Sequence, residues 1–243
     1  MIRFVGFDLD DTLYNSTNLI TLARMEGLKK MQECGLDFNL RKGIMCLNAI
    51  VHEFGSNYTR HFDILLERFK SNSYHFEIRS IDFSIPKFVA AGVMGYHEVK
   101  INKIRPFQDV KSVFQQLQEL EYKIFLISDG LAVKQYEKLL RLDIAQYFDN
   151  IFISEEIGLS KPDLAFYNHV IETIGGKPSD IVYVGDRVDY DIIPAKKSGL
   201  KTILIHRGGK YDPSSMKQNM NEKMGADYEI SSLTELVPIL KGI

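Results

Sequence analysis

Three aspartates, Asp8, Asp10 and Asp11, stop a short apolar run that contains Phe4, Val5 and Phe7. If extended geometry persists past Phe7, Asp8 and Asp10 share one face and Leu9 takes the other. Two carboxylates about 4 Å apart repel by roughly 4 kcal/mol at an effective dielectric of about 20. A chain that builds such a pair needs a cation, a proton or a ligand to offset it. A solvated turn after a strand is the competing reading. Three later stretches carry residues of the same kind: Ser128-Asp129-Gly130, Gly158 to Asp163 with Lys161 at its centre, and Val184 to Asp191 with Asp186 after a glycine. Clustered carboxylates suit a hard, oxygen-seeking cation such as Mg²⁺. A lysine, a hydroxyl and free backbone N–H groups suit a phosphate. A metal, a phosphate site and a spare carboxylate together point to phosphoryl transfer onto an aspartate.

The elements that must position these residues follow from periodicity. Phe4 to Phe7, Lys123 to Ile127, Ile151 to Ile153, Ile181 to Val184 and Thr202 to Ile205 read as strands, and Tyr228 to Ile230 as an edge strand. Helical faces alternate with them: Val110, Val113, Phe114, Leu117 and Leu120; then Val133, Tyr136 and Leu140; then Leu164 to Ile174; then Asp191 to Ser198; last Leu233, Leu236, Val237 and Leu240. Alternation of this kind predicts an α/β fold with a doubly wound parallel sheet. Ligands of such sheets bind beyond the carboxyl ends of the strands, where Asp8, Asp10, Ser128, Asp129 and Asp186 fall.

Residues 16–102 have another character. Leu22, Met25 and Leu28 share a face, and so do Ile44, Leu47, Val51 and Phe54 in a helix that Asn39 could cap. Phe62, Leu65, Leu66 and Phe69 mark a third helix, and Pro86 through Val93 a fourth. These four helices predict an inserted α-helical domain between residues 1–15 and 103–243 of the α/β core. His52, His61, His75 and His97 lie there without ligand spacing.

Composition removes several classes. The 243 residues carry a net charge of −2, which gives no cause to expect nucleic-acid binding. No run of 18 apolar residues predicts a membrane span, and the N-terminal apolar run is too short for a signal peptide. Cys34 and Cys46, the only cysteines, have no metal-ligand spacing and read as buried thiols of a cytoplasmic protein.

The four motifs, in this order, resemble those of the haloacid dehalogenase superfamily: Asp8-x-Asp10-x-Thr12, Ser128, Lys161, and Gly185-Asp186 with a further aspartate. The helical insertion resembles that superfamily's cap domain, so the resemblance spans the whole chain. It implies Asp8 as the nucleophile and Asp10 as general acid, then base, with a proton that proximity to Asp8 would favour. It implies Mg²⁺ on Asp8, the Asp10 backbone carbonyl and Asp186, and phosphate held by Ser128, Lys161 and the amides near Asp129 and Gly130. Thr12 would fix the loop by hydrogen bonding. Asp191 would back the metal or reach it through water, with Asp189 as its competitor; Asp191 also reads as a helix N-terminal residue. Dehalogenases proper lack an aspartate at the position of Asp10, so a phosphatase is implied, with a phosphomutase as the alternative.

A helical cap implies a small phosphate ester as substrate. Tyr14, Asn18, Arg41 and Lys42 are candidate contacts. Arg187 is expected to pair with Asp189, Asp11 to be exposed or to cap the loop, and Asp163 to cap a helix. His206 to Asp227 reads as a surface loop whose His206, Arg207 and Lys210 could approach a phosphate. The sequence does not set the oligomeric state.

Overall fold

The computed structural model describes residues 2–71, 84–212 and 225–243. In chain order the elements are β1 (Phe4–Phe7), α1 (Ser16–Glu33), α2 (Leu40–Phe54), α3 (His61–Lys70), α4 (Ile85–Lys103), α5 (Val110–Glu119), β2 (Lys123–Ser128), α6 (Ala132–Leu142), β3 (Asn150–Ile153), α7 (Ser154–Ile157), α8 (Leu164–Ile174), β4 (Ile181–Gly185), α9 (Ile193–Lys197), β5 (Lys201–Ile205), β6 (Tyr228–Ile230) and α10 (Leu236–Lys241). They form two compact units: Met1–Thr17 with Arg105–Ile243, and Asn18–Ile104.

The first unit holds a six-stranded sheet in the order β3-β2-β1-β4-β5-β6. Every pairing is parallel. β1, β2 and β4 are nearly all apolar because a parallel sheet is covered on both faces. The register sets the site. Phe7 lies opposite both Leu126 and Val184, so Asp8, Ser128 and Asp186 all leave the same end of three neighbouring strands.

The second unit packs α1 to α4 around Leu28, Met31, Leu47, Ile50, Leu65 and Phe88. Asn39 caps α2 by accepting the Lys42 N–H. The buried face of α2 is Gly43, Cys46, Leu47 and Ile50; of the predicted Ile44, Leu47, Val51 and Phe54, Leu47 is buried, Ile44 packs partly buried against the same core, Val51 is half-buried and Phe54 is exposed. Gly43 explains the rotation: its missing side chain leaves room for the Phe38 ring, and Phe54 instead stacks on Tyr58 at the surface. Cys46 is buried, but Cys34 is only half-buried. α4 runs ten residues past the predicted Val93, to Lys103. His75 lies outside the described residues.

α6 corrects a second face. Its buried residues are Gln135, Leu139 and Leu142, while the predicted Val133 and Leu140 are 81% and 70% exposed. Leu120 is exposed too, just past the end of α5. The expected helix Asp191 to Ser198 is a wider π turn over Val188–Ile192 followed by α9. The expected surface loop from His206 begins packed rather than solvated. Arg207 is largely buried against Asp109 at 2.9 Å and over the Phe107 ring, and buried Asp212 accepts from His206 and the Gly208 N–H. Residues 213–224 of that loop lie outside the described residues.

Candidate active site

β1 delivers Asp8, and the chain leaves extended geometry there. Leu9 turns fully into the core, and Asp10 forms a bridge with Tyr14. Asp11 takes a left-handed conformation, φ 60°, which aspartate tolerates better than most residues. Its carboxylate is buried and accepts the Thr17 N–H and hydroxyl, so it caps the loop. Thr12 is buried, but its hydroxyl meets no partner among the described residues, against the expected loop-fixing bond. Its carbonyl instead accepts from Arg207.

Lys161 comes from the turn between α7 and α8. Its ammonium has three acceptors: Asp8 Oδ1 at 2.5 Å, Asp191 Oδ1 at 2.8 Å and the Tyr183 hydroxyl at 3.1 Å. A lysine has three N–H donors, so the buried charge is fully satisfied. Glycines make this packing possible. A side chain at Gly6 would strike the Phe125 ring and come within 2.9 Å of Tyr183; one at Gly185 would lie 2.5 Å from Asp191. Burial works against the Lys161 charge, but Asp191 and Asp8 outweigh it and raise its pKa well above the usual range.

Asp8, Asp186 and Asp191 each offer a carboxylate oxygen within 4.8 Å of the others, and all three are buried. No described residue donates a hydrogen bond to the Asp186 carboxylate. Burial, then repulsion from Asp8 and Asp191, pushes Asp186 up to about 9. Burial also pushes Asp8 up to about 7, with Lys161 opposing and Asp191 adding to the rise. A desolvated carboxylate cluster that cannot fully ionise by itself fits a hard divalent cation. Asp191 is the most engaged of the three: its Oδ1 takes Lys161 and Tyr183, and its Oδ2 takes the Arg187 N–H. Asp189 stands outside the cluster, exposed and paired with Arg187 at 2.9 Å. That guanidinium also lies over the rings of Tyr190 and Tyr211, 3.7 and 4.0 Å from their centroids.

Ser128 ends β2, buried, and no described residue hydrogen-bonds its hydroxyl. Asp129 Oδ1 accepts the Lys161 backbone N–H at 3.1 Å. Gly130 departs from expectation. Its N–H goes to Ser154 Oγ at 2.9 Å instead of standing open to a phosphate. Asp163 caps α8 through the Ala165 N–H.

Asp10 departs further. Proximity to Asp8 was expected to favour a proton on it. Burial does work in that direction, but Lys138, by charge and hydrogen bond, and Tyr14 outweigh it and hold the carboxyl below its ordinary value. Lys138 Nζ lies 2.7 and 2.9 Å from the two Asp10 oxygens, and the Tyr14 hydroxyl donates to Oδ1. Tyr14 is therefore buried on Asp10 rather than open as a substrate contact. Asn18, Arg41 and Lys42 are exposed in the first turns of α1 and α2. Sequence reasoning missed Lys138. The only signal was a lysine three residues after Gln135, off the Val133, Tyr136 and Leu140 face.

A family model described as haloacid dehalogenase-like hydrolase matches residues 5–205. A glyceraldehyde 3-phosphate phosphatase of Methanocaldococcus jannaschii is 40% identical over 243 residues, covering 100% of this chain and 99% of that protein. One from Methanopyrus kandleri is 39% identical, covering 99% and 98%. The crystal structure of a HAD phosphatase from Thermococcus onnurineus is similar with a TM-score of 0.64 at 22% identity, over 99% of both chains, which shows a shared fold. No helix among the described residues is long and apolar enough to cross a membrane.

Proposed function

The chain belongs to the haloacid dehalogenase-like hydrolases, and we propose that it is a Mg²⁺-dependent phosphatase of a small triose phosphate, glyceraldehyde 3-phosphate in the first instance. The observation that carries the chemistry is buried Asp8 held by Lys161 at 2.5 Å within a cluster of two further carboxylates. The substrate reading rests on the full-length relatives named for that ester.

Asp8 Oδ2 receives no hydrogen bond from a described residue and is the oxygen available to attack phosphorus. As the new O–P bond forms, the ester O–P bond breaks, and the leaving alcohol oxygen takes up a proton from Asp10, which Lys138 and Tyr14 hold ionised in the free protein and which first takes that proton from solvent. Asp10 then accepts a proton from water. The water oxygen attacks phosphorus, the Asp8–phosphorus bond breaks, and inorganic phosphate leaves. The sum is ester plus water to alcohol plus phosphate. Lys161 offsets the charge on Asp8 and the phosphoryl group, and the Ser128 hydroxyl meets a phosphoryl oxygen. Asp8, Asp186 and the Asp10 carbonyl would hold Mg²⁺, with Asp191 behind them; when bound, it supplies charge neutralisation on the phosphoryl group.

Phosphate release from glyceraldehyde 3-phosphate tests this, with and without Mg²⁺, for wild type and Asp8→Asn. Turnover that needs Mg²⁺ and is absent from the folded variant is the expected result. Full activity in Asp8→Asn would remove the nucleophile assignment. Activity confined to other esters would remove the substrate and leave the chemistry.

A further inference from the structure

Asp10 is gripped from across the fold by Lys138, 128 residues further along the chain, and the reaction above does not use that lysine. The grip is built rather than casual. Lys138 donates to both Asp10 oxygens and, at 3.0 Å, to Gln135 Oε1, which accounts for its donors. Gln135 is itself buried, and its Nε2 donates to the Asp129 carbonyl at 2.7 Å. Gln135 and Lys138 are three apart on α6, so they share one face. The Lys138 side chain is 18% exposed and the Asp10 side chain 39%, so the pair is part-buried.

These contacts form one connected path. It runs from Asp10 through Lys138 and Gln135 to Asp129, whose carboxylate holds the Lys161 N–H, and from Lys161 to Asp8. One short segment after β2 therefore sets the position of both lysines. We propose that Lys138, braced by Gln135, is a positioning residue that fixes the Asp10 carboxylate for its two proton transfers. The inference rests on the phosphatase reading. Without this brace only the Tyr14 hydroxyl holds the Asp10 carboxylate, at one oxygen, and a proton donor displaced from its line to the leaving oxygen loses rate rather than affinity.

The test is a double-mutant cycle on kcat for phosphate release, with Lys138→Met made in the wild type and in Asp10→Asn. Lys138→Met should lower kcat by about 10- to 100-fold with KM changed by less than about threefold. Lys138→Arg, which keeps a cation able to grip a carboxylate, should recover much of that loss. In the Asp10→Asn background the same Lys138→Met should change kcat by less than about twofold, because its effect passes through Asp10. Equal losses in both backgrounds would mean a merely structural lysine and overturn the proposal, as would an undiminished kcat in the single variant. If Lys138→Met does not fold, Gln135→Met is read through the same cycle. A wild type that releases phosphate from no ester overturns the phosphatase reading, and this inference with it. An active wild type with additive losses overturns this inference alone.

Discussion

Asp129 Oδ1 holds the backbone N–H of Lys161 at 3.1 Å, so the turn after β2 fixes the loop that carries the buried lysine. The side chain acts as an acceptor only, and asparagine can supply the same oxygen. Asp129→Asn should therefore keep kcat within about threefold, whereas Asp129→Ala leaves a half-buried N–H unpaired and should cost about 1–3 kcal/mol of stability. Steady-state kinetics and denaturant unfolding of the two variants check this. Equal effects of Asn and Ala would show that the charge, not the acceptor, is what matters.

Lys161 is the only cation that touches both Asp8 and Asp191 among the described residues. Removing one member of a buried pair is more costly than the pair is worth, since the partners stay buried and uncompensated. Lys161→Met should lose about 3–5 kcal/mol in stability and all measurable phosphate release. A variant as stable as wild type would show that Asp8 simply takes up a proton. Urea unfolding at neutral and at alkaline pH separates the two outcomes, because proton uptake would fail as the pH rises.

The motif residues were legible because their environment is written in the chain itself. A run of apolar residues that must be buried on both faces, ended by a carboxylate or hydroxyl, marks a strand end, and Asp8, Ser128 and Asp186 all carry that signature. Parallel pairing then brings those ends together without further information. Lys138 and Gln135 could not be read this way. Periodicity finds the side of a helix that faces apolar neighbours, but where α6 meets the Asp10 carboxylate and the Asp129 carbonyl its residues, Gln135 and Lys138, are polar, beside buried Leu139 and Leu142. Val133 and Leu140 then stood out as the apolar face, although both are exposed. The Gly130 N–H was lost for a related reason. Its acceptor, Ser154, lies 24 residues away on α7, and no local spacing announces the contact.

Metal affinity and stability should depend on pH in linked ways. Without a cation, burial puts Asp8 at about 7, with Lys161 opposing and Asp191 adding to the rise, and burial with repulsion from Asp8 and Asp191 puts Asp186 at about 9, against an ordinary 3.8. Both shifts are upward, so the folded metal-free chain binds more protons than the unfolded one between those limits. Its stability contribution from the pair is fully present below about pH 4 and declines as pH rises through 7 and 9. Bound Mg²⁺ needs the ionised carboxylates and so releases protons. The metal-free melting temperature should fall from pH 6 to pH 9, and the stabilisation given by saturating Mg²⁺ should grow over the same range. Calorimetry in buffers of different ionisation enthalpy would count the protons released. A melting temperature without this slope would show that Lys161 alone keeps the cluster ionised.

Thr12 offers a prediction of opposite sign. Its hydroxyl is buried beside the proposed nucleophile loop with no partner among the described residues, while its carbonyl is held by Arg207. An unpaired buried hydroxyl costs about 1–3 kcal/mol, and valine keeps the shape without the polar atom. Thr12→Val should raise stability by about 1 kcal/mol, which is about 2–4 °C in melting temperature for a unit of this size. The backbone bond to Arg207 does not depend on the side chain and survives the change. Thermal unfolding of the two proteins without ligand decides the matter. A lower melting temperature would show that the hydroxyl does hold the loop, as the motif alone implies, through a partner that forms in solution.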